Sequence, residues 1–345
     1  MEGQRRRARQ ADVAKLAGVS QATVSAVVNG RGPETGIPEQ TVQRVLEAVR
    51  QLGYAANPAA RSLRGKRNRL LGVHTFESIF PVDQLDFYHE FLVGIEQQAV
   101  ADGYDLVLFA STEDPDGRRR IYSDGMNRLA LADGSVLLGV EPGSTELARL
   151  AAEGYPFVHI GRRTVPGTEI AWVGADYASA TREVVGRLAA LGHRRVAYVT
   201  GPDRMEVFLD KEAGYRAGCA DAGLPELMYV MSQLDPAWVD AAHAGGVTAV
   251  LAENEPLARQ LVAALGERGL AAPADMSVVV LVTMTESGWS SLRIPRNEMG
   301  RGAVKMLTRI LAGTGNPGDP GGPGEHHHLL PCGLPDDHMI GPPRS

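Results

Sequence analysis

The sequence predicts an α/β chain in three parts: an N-terminal three-helix helix-turn-helix headpiece, a hinge helix, and a body of two doubly wound parallel-sheet subdomains. Three observations predict it. The first is "DVAKLAGVSQATVSAVVNG" (Asp12 to Gly30), two short apolar helices split by a Gly-containing turn. The second is a charge imbalance. Residues 1–69 carry 13 Lys and Arg against 5 Asp and Glu, and the rest carries 22 against 36, for a formal net charge of -6 over 345 residues. A basic head on an acidic body is the asymmetry expected of a nucleic-acid-binding module joined to something else. The third is that short apolar runs alternate with helical patterns after residue 69, which is the sign of parallel sheets.

Within the headpiece, Asp12 places a negative charge at the start of the first helix, where the dipole favours it. Val13, Leu16 and Ala17 give that helix an apolar face. Gly18 allows the bend, and Ser20 is a good N-cap for the next helix. There Val24, Val27 and Val28 point inward, and Asn29-Gly30 is a stop signal. Pro38 suits the first turn of a third helix, whose apolar stripe is Val42, Val45, Leu46, Val49 and Leu52. In a helix-turn-helix the early residues of the second helix face the major groove. Here they are Ser20, Gln21, Ala22 and Thr23, with Ser25 and Ala26 one turn on. Gln21 can bond bidentately to adenine, and the Ala22 methyl can meet a thymine methyl. Ser20, Thr23, Ser25 and Asn29 are of the kind that holds phosphates.

The next stretch, "NPAARSLRGKRNR", begins with a capping Asn57 and ends its helical pattern at Gly65. A helix of about two turns does not persist alone in water, so it suits a segment that forms only when something stabilises it. Asn57, Arg61 and Leu63 are its candidate DNA contacts, with Leu63 as an apolar wedge for the minor groove. These signals place the headpiece at 1–56 and the hinge with its basic linker at 57–69.

In the body, 70–345, the run "LLGVHTF" precedes a helix over 84–103, and "DLVLFAS" precedes another near 116–131. The runs "GSVLLGV", "PFVHIG", "RVAYVTG", "VTAVLAE" and "MSVVVLV" continue the alternation. Two such series suggest two doubly wound subdomains with a cleft between them, and ligands sit outside the carboxyl ends of such strands. Strand ends supply the pocket candidates Phe76, Arg162, Asp176, Lys211, Asn254, Glu255 and Thr283.

The stretches "DVAKLAGVSQATVSAVVNG", "LGYAANPAARSL", "ALGHRRVAYVTGP" and "IPRNEMGRGAVKML" resemble the LacI/GalR family of bacterial transcription regulators. The resemblance implies a periplasmic-binding-protein-like body with an effector cleft and a dimer platform. It implies that the last helix and strand, near 298–312 and 327–330, return to the first subdomain. The subdomains are then about 70–170 plus 298–335, and about 171–297. Relatives often bind effector at the position of Asp176, and they usually carry arginine where this chain has Lys211. They tend to read Gly-aromatic-Asp-Asp where this chain has Val280, Leu281, Val282 and Thr283. Losing both a bidentate arginine and a carboxylate weakens the case for a simple sugar.

The function that follows is a sequence-specific DNA-binding regulator, a repressor by resemblance. It would bind a pseudo-palindromic double-stranded operator as a homodimer, or a tetramer, with affinity set by a small-molecule effector. The competing classes are a small-molecule binding protein with a vestigial headpiece, and a family regulator without a small-molecule effector. No Walker A motif, G-x-S-x-G or HExxH occurs, so the chain does not read as an enzyme, and no cofactor is expected. "GTGNPG" (Gly313 to Gly318) follows a helix rather than a strand and reads as a surface loop. "HHH" at 326–328 reads as part of the closing strand, and Cys219 and Cys332 form no metal or disulfide pattern. No apolar run approaches a membrane span and no secretory h-region follows the basic N-terminus, so the chain reads as cytoplasmic.

Overall fold

The computed structural model describes residues 8–28, 35–54, 67–77, 82–110, 118–139, 144–313 and 326–344, with side chains described except at 82–86. It divides into two compact units, Met1–Asn68 and Arg69–Ser345.

The first unit holds α1 (Gln10–Ala17), α2 (Gln21–Val28) and α3 (Glu39–Leu52). Asp12 Oδ2 accepts the backbone N–H of Arg9 at 2.8 Å, which closes the start of α1. Gly18 ends that helix at φ 65°, a conformation that favours glycine. Val13, Ala14, Ala17, Val24, Val27, Val45 and Ala48 form the core of the unit. Leu16, expected on the buried face, is 50% exposed, and Ala14 is buried instead. The stripe of α1 is therefore Val13, Ala14 and Ala17, whose small side chains let the helices approach closely. Leu46 and Leu52 are also exposed, so Val45 and Ala48 carry the centre of the α3 face. Ala26, expected to face DNA, is buried. Asn29, the hinge with Asn57, Arg61 and Leu63, and most of "GTGNPG" lie outside the described residues.

The second unit contains two parallel sheets. The larger has the order β12-β7-β6-β5-β1-β2, formed by Leu70–Thr75 (β1), Asp105–Phe109 (β2), Gly134–Leu138 (β5), Phe157–Ile160 (β6), Trp172–Asp176 (β7) and His327–Pro331 (β12). The smaller has the order β11-β10-β8-β9, formed by Val196–Thr200 (β8), Leu227–Val230 (β9), Ala249–Ala252 (β10) and Ser277–Val280 (β11). Near-continuous burial along β5, β6, β8, β10 and β11 reflects helices on both faces. The expected break near 171 falls one strand early. β7 pairs with both β6 and β12, so it belongs to the larger sheet, and the chain crosses to the second lobe at Asp176–Tyr177.

The expected helix near 116–131 is absent from the described residues of that stretch. Tyr122–Ser123 (β3) and Met126–Asn127 (β4) form a hairpin instead. Its turn is Asp124-Gly125, at φ 50° and 76°, the two positive angles that an Asp-Gly hairpin turn requires. Asn127 Oδ1 then accepts the N–H of Leu129 and starts a 3-10 turn over Arg128–Leu131.

Two helix pairs brace the lobes. In the first lobe, α4 (Val82–Ala101) crosses α10 (Arg296–Ala312) at Gly94 and Gly300. A Cβ on Gly300 would lie 2.3 Å from the Phe91 carbonyl oxygen, so the backbones touch. In the second lobe, α6 (Tyr177–Ala190) meets α7 (Glu206–Ala222) at Gly214, where a Cβ would lie 2.3 Å from the Ala178 oxygen. α10 and β12 return the chain to the first lobe, and Met339 packs back into the core of the second. Between Thr145–Ala152 (α5) and the C-terminus, Pro236–Ala244 (α8) and Glu255–Glu267 (α9) complete the layers. Among the described residues, no helix is long and apolar enough to cross a membrane.

Candidate functional site

The headpiece presents the start of α2 to solvent. The Ser20 hydroxyl accepts the Thr23 backbone N–H at 3.1 Å and lies 2.9 Å from the Thr23 hydroxyl. This caps the helix and holds its first turn. Gln21 and Ala22 are exposed, Thr23 and Ser25 are half-buried, and Val24 and Val27 anchor the helix from beneath. Gln21 is thus a free amide on a rigid helix end, while Ser20 is partly committed to its own helix.

The body contains a cavity of about 380 Å³ at the carboxyl ends of strands from both sheets. β5 delivers Leu138 and Gly139, and β6 delivers Ile160 through Arg163. The first two turns of α7 deliver Glu206, Phe208, Asp210 and Lys211. Asn254 stands at the end of β10, where its Oδ1 also accepts the Leu257 N–H and caps α9.

The two lobes are joined across this cavity by ion pairs. Arg162 binds Asp210 through Nε at 2.9 Å and Nη2 at 2.6 Å. Its neighbour Arg163 donates to Glu206 at 3.1 Å, and the Thr164 N–H donates to the same carboxylate at 2.7 Å. Burial alone would raise the Glu206 carboxyl, but the Thr164 N–H and Arg163 outweigh it and hold it low. The bonds that Arg162 donates to Asp210 hold its guanidinium above its ordinary value. On the first lobe the Tyr88 hydroxyl donates to Glu77 at 2.9 Å.

Two further groups are buried. The Lys211 side chain is 1% exposed, and burial pulls its ammonium down to about 8 against the opposing pull of the Glu253 charge. Its Nζ donates to the Glu253 carbonyl at 3.1 Å and faces the rings of Tyr177 and Phe208. His159 sits between two carbonyls, with Nδ1 2.8 Å from Gly161 O and Nε2 3.1 Å from Gly139 O. Burial outweighs both contacts and brings the imidazole down to about 4, so the ring is neutral and donates from one nitrogen only.

Of the strand-end candidates, Arg162, Lys211 and Asn254 line the cavity. Phe76, Asp176, Glu255 and Thr283 do not, and each has another task. Phe76 packs in a core with Leu137 and Trp172, edge-on to His74 at 5.0 Å. Asp176 caps α6 through Ser179 N, Glu255 pairs with Arg259 on an outer face, and Thr283 Oγ1 accepts the Ile294 N–H. Sequence reasoning missed Glu77, Tyr88, His159, Arg163, Glu206 and Asp210. The last two carried a readable signal: they stand at i and i+4, one face of a helix that follows a strand end.

Residues 11–57 match the bacterial regulatory proteins of the lacI family, and residues 185–334 match a periplasmic binding protein-like domain. An uncharacterized HTH-type transcriptional regulator in the aml 5' region of Streptomyces limosus is 32% identical over 330 residues, covering 88% of this chain and 88% of that one. The HTH-type transcriptional regulator CelR of Thermobifida fusca is 28% identical over 326 residues, covering 90% and 93%. Among solved structures, a lac repressor dimer bound to operator and the anti-inducer ONPF superposes with a TM-score of 0.66 at 22% identity, covering 96% of this chain and 98% of that one. A CelR-cellobiose complex gives 0.60 at 24% identity, covering 95% and 98%. The fold of those structures is the fold described above.

Proposed function

The chain belongs to the lacI family of bacterial regulatory proteins, transcriptional regulators with a DNA-binding and an effector-binding domain, and from that premise we propose how it acts. As a cytoplasmic homodimer it binds a pseudo-palindromic operator, one headpiece to each half-site. Gln21 and Ala22 read base edges, while Thr23, Ser25 and Asn29 hold the backbone. Ser20 sets the helix start. Asn57, Arg61 and Leu63 add contacts between the half-sites. A small molecule in the cavity of the body sets the affinity of the headpieces for DNA. The role is regulatory binding rather than catalysis.

The observation that carries this reading is the cavity itself. It draws its walls from both lobes, and the Arg162–Asp210 pair spans it. A ligand there contacts both lobes at once and can favour one arrangement of them over another. Coupling of only about 1–3 kcal/mol changes occupancy of a DNA site roughly 5- to 150-fold.

The test is to sequence the genomic DNA retained by the purified protein and to measure its stoichiometry on the recovered site by analytical ultracentrifugation. Two chains per pseudo-palindrome are expected. Retention of random DNA only, or one chain per site, would defeat the reading.

A further inference from the structure

Among the described residues that line the cavity, Lys211 is a cation with no carboxylate within ion-pair distance, although the Glu253 charge acts on it from farther off. Arg162 and Arg163 are matched by Asp210 and Glu206. The Glu77 carboxylate accepts the Tyr88 hydroxyl. Glu253, whose charge acts on Lys211, directs its carboxylate to the Tyr198 hydroxyl, the Thr200 hydroxyl and the Gly201 N–H, at 2.7, 2.6 and 2.9 Å. Lys211 meets only the carbonyl of Glu253 among hydrogen-bond acceptors of the described residues, which leaves the other two ammonium hydrogens unspent. That side chain is 1% exposed and lines the cavity. A buried ammonium with two hydrogens unspent and no carboxylate in direct contact is costly, and a ligand that supplies that contact recovers part of the cost.

The surroundings narrow the ligand further. Asn254 follows Glu253 and lines the same cavity; its Oδ1 is used as a cap, so its amide N–H groups remain as donors. Together Lys211 and Asn254 offer a donor set suited to a singly charged planar acceptor. The remaining wall is apolar and ring-bearing, with Tyr88, Phe91, Tyr177, Phe208, Val282 and Met299. Of the lining carboxylates, Asp210 and Glu206 are held by Arg162 and Arg163, which leaves them fewer free acceptor sites for the hydroxyl protons of a sugar, and Glu77 accepts the Tyr88 hydroxyl.

We propose that the cavity binds a small monocarboxylic acid with an apolar, ring-bearing body, its carboxylate on Lys211 and Asn254 and its body among the aromatic side chains. This rests on the reading of the cavity as the effector site, and it names the chemical class that the site selects. The carboxylate gives the Lys211 ammonium the direct anionic contact that it lacks among the described residues. The ring fills the space between the lobes and leaves the Arg162–Asp210 and Arg163–Glu206 pairs intact.

The experiment uses the full chain and measures binding by calorimetry, with no DNA present. The probes are phenylacetate, 3-phenylpropanoate and cyclohexylacetate, each beside its neutral amide, with phenethylamine and cellobiose as further arms. At least one carboxylate is expected to bind about tenfold or more tightly than its amide, equivalent to about 1.4 kcal/mol. Lys211→Met should remove that preference while the variant still unfolds cooperatively. Lys211→Arg, which keeps the charge, should retain part of it. The proposal is overturned if no carboxylate binds, if an amide, the amine or cellobiose binds as tightly, or if Lys211→Met keeps the preference. A separate gel-shift arm keeps the two readings apart. Carboxylate binding without any effect on DNA would sink the regulatory reading alone. Release of DNA by cellobiose with no carboxylate binding would sink the ligand class alone.

Discussion

Arg162 and Asp210 face each other across the two lobes of the body and share two hydrogen bonds, at 2.6 and 2.9 Å. One residue follows β6 in the larger sheet, and the other stands on α7 beside the smaller sheet. A fork-on-carboxylate pair of this kind has a fixed geometry, so it constrains how the lobes meet. Its side chains are 31% and 22% exposed, which screens the attraction. A double-mutant cycle with Arg162→Gln and Asp210→Asn, read by urea unfolding, should give a coupling of about 1 kcal/mol. A coupling indistinguishable from zero would show that the pair does not hold the lobes.

Gln21 stands exposed on a capped helix end, so it is free to reach a base. Gln21→Ala should cost about 1–3 kcal/mol on the specific site and relax selectivity at one position in each half-site. Equal weakening on specific and random DNA would place Gln21 on the phosphates instead.

The two glycines of the α6–α7 pair should respond in opposite ways. A Cβ at Gly214 lies 2.3 Å from the Ala178 backbone oxygen, so Gly214→Ala forces the helices apart. The expected loss is about 1–3 kcal/mol or more in denaturant unfolding. At Gly186, in the middle of α6, nothing lies within 4 Å of the added Cβ. Gly186→Ala should stabilise by about 0.5–1 kcal/mol, the helix-propensity difference. Equal effects of the two substitutions would contradict the close approach.

Two buried imidazoles set an acid limit for the body. Burial brings His74 and His159 from 6.5 down to about 4, with the Arg119 charge adding to the effect at His74. The folded state therefore binds fewer protons than the unfolded chain between those values. Stability is fully present above pH 6.5 and falls as pH drops toward 4, by an amount on the order of 2–3 kcal/mol per ring. Urea midpoints at pH 7, 5.5 and 4.5 measure this. His74→Leu should flatten the decline; an unchanged slope would mean that the ring does not titrate differently on unfolding.

Lys211 gives the proposed ligand a distinct pH signature. The groups acting on its ammonium are the Glu253 charge, the Cys332 thiol and the rings of Tyr177 and Phe208. With the ammonium at about 8 in the free protein, carboxylate affinity should be flat below that pH and fall above it. Calorimetry at pH 7 and 9 should show the drop for phenylacetate and none for its amide. An affinity equal at both values would remove Lys211 from the contact.

The sequence by itself determined the local parts of this protein. Ser20 as a cap, Gly18 as a bend, and the valines of α2 set the headpiece, because caps, turns and helical periodicity act over a few residues. Alternating apolar runs identified the parallel sheets for the same reason. The tertiary structure decided which strand ends form the cavity. Arg162 and Asp210 are 48 residues apart, and Lys211 and Glu253 are 42 apart. Periodicity marks a residue as lying near a strand end but does not say which way it turns there. Asp176 and Thr283 are taken by a local cap and a backbone bond, and Glu255 by its helix neighbour Arg259. Leu16 went astray in the same way: its own helix offered two apolar stripes, and only packing against α2 and α3 chose between them. Lys211 is the clearest case. That no carboxylate of the described residues touches its ammonium depends on where the nearby acids point, and this is a property of the packed lobes.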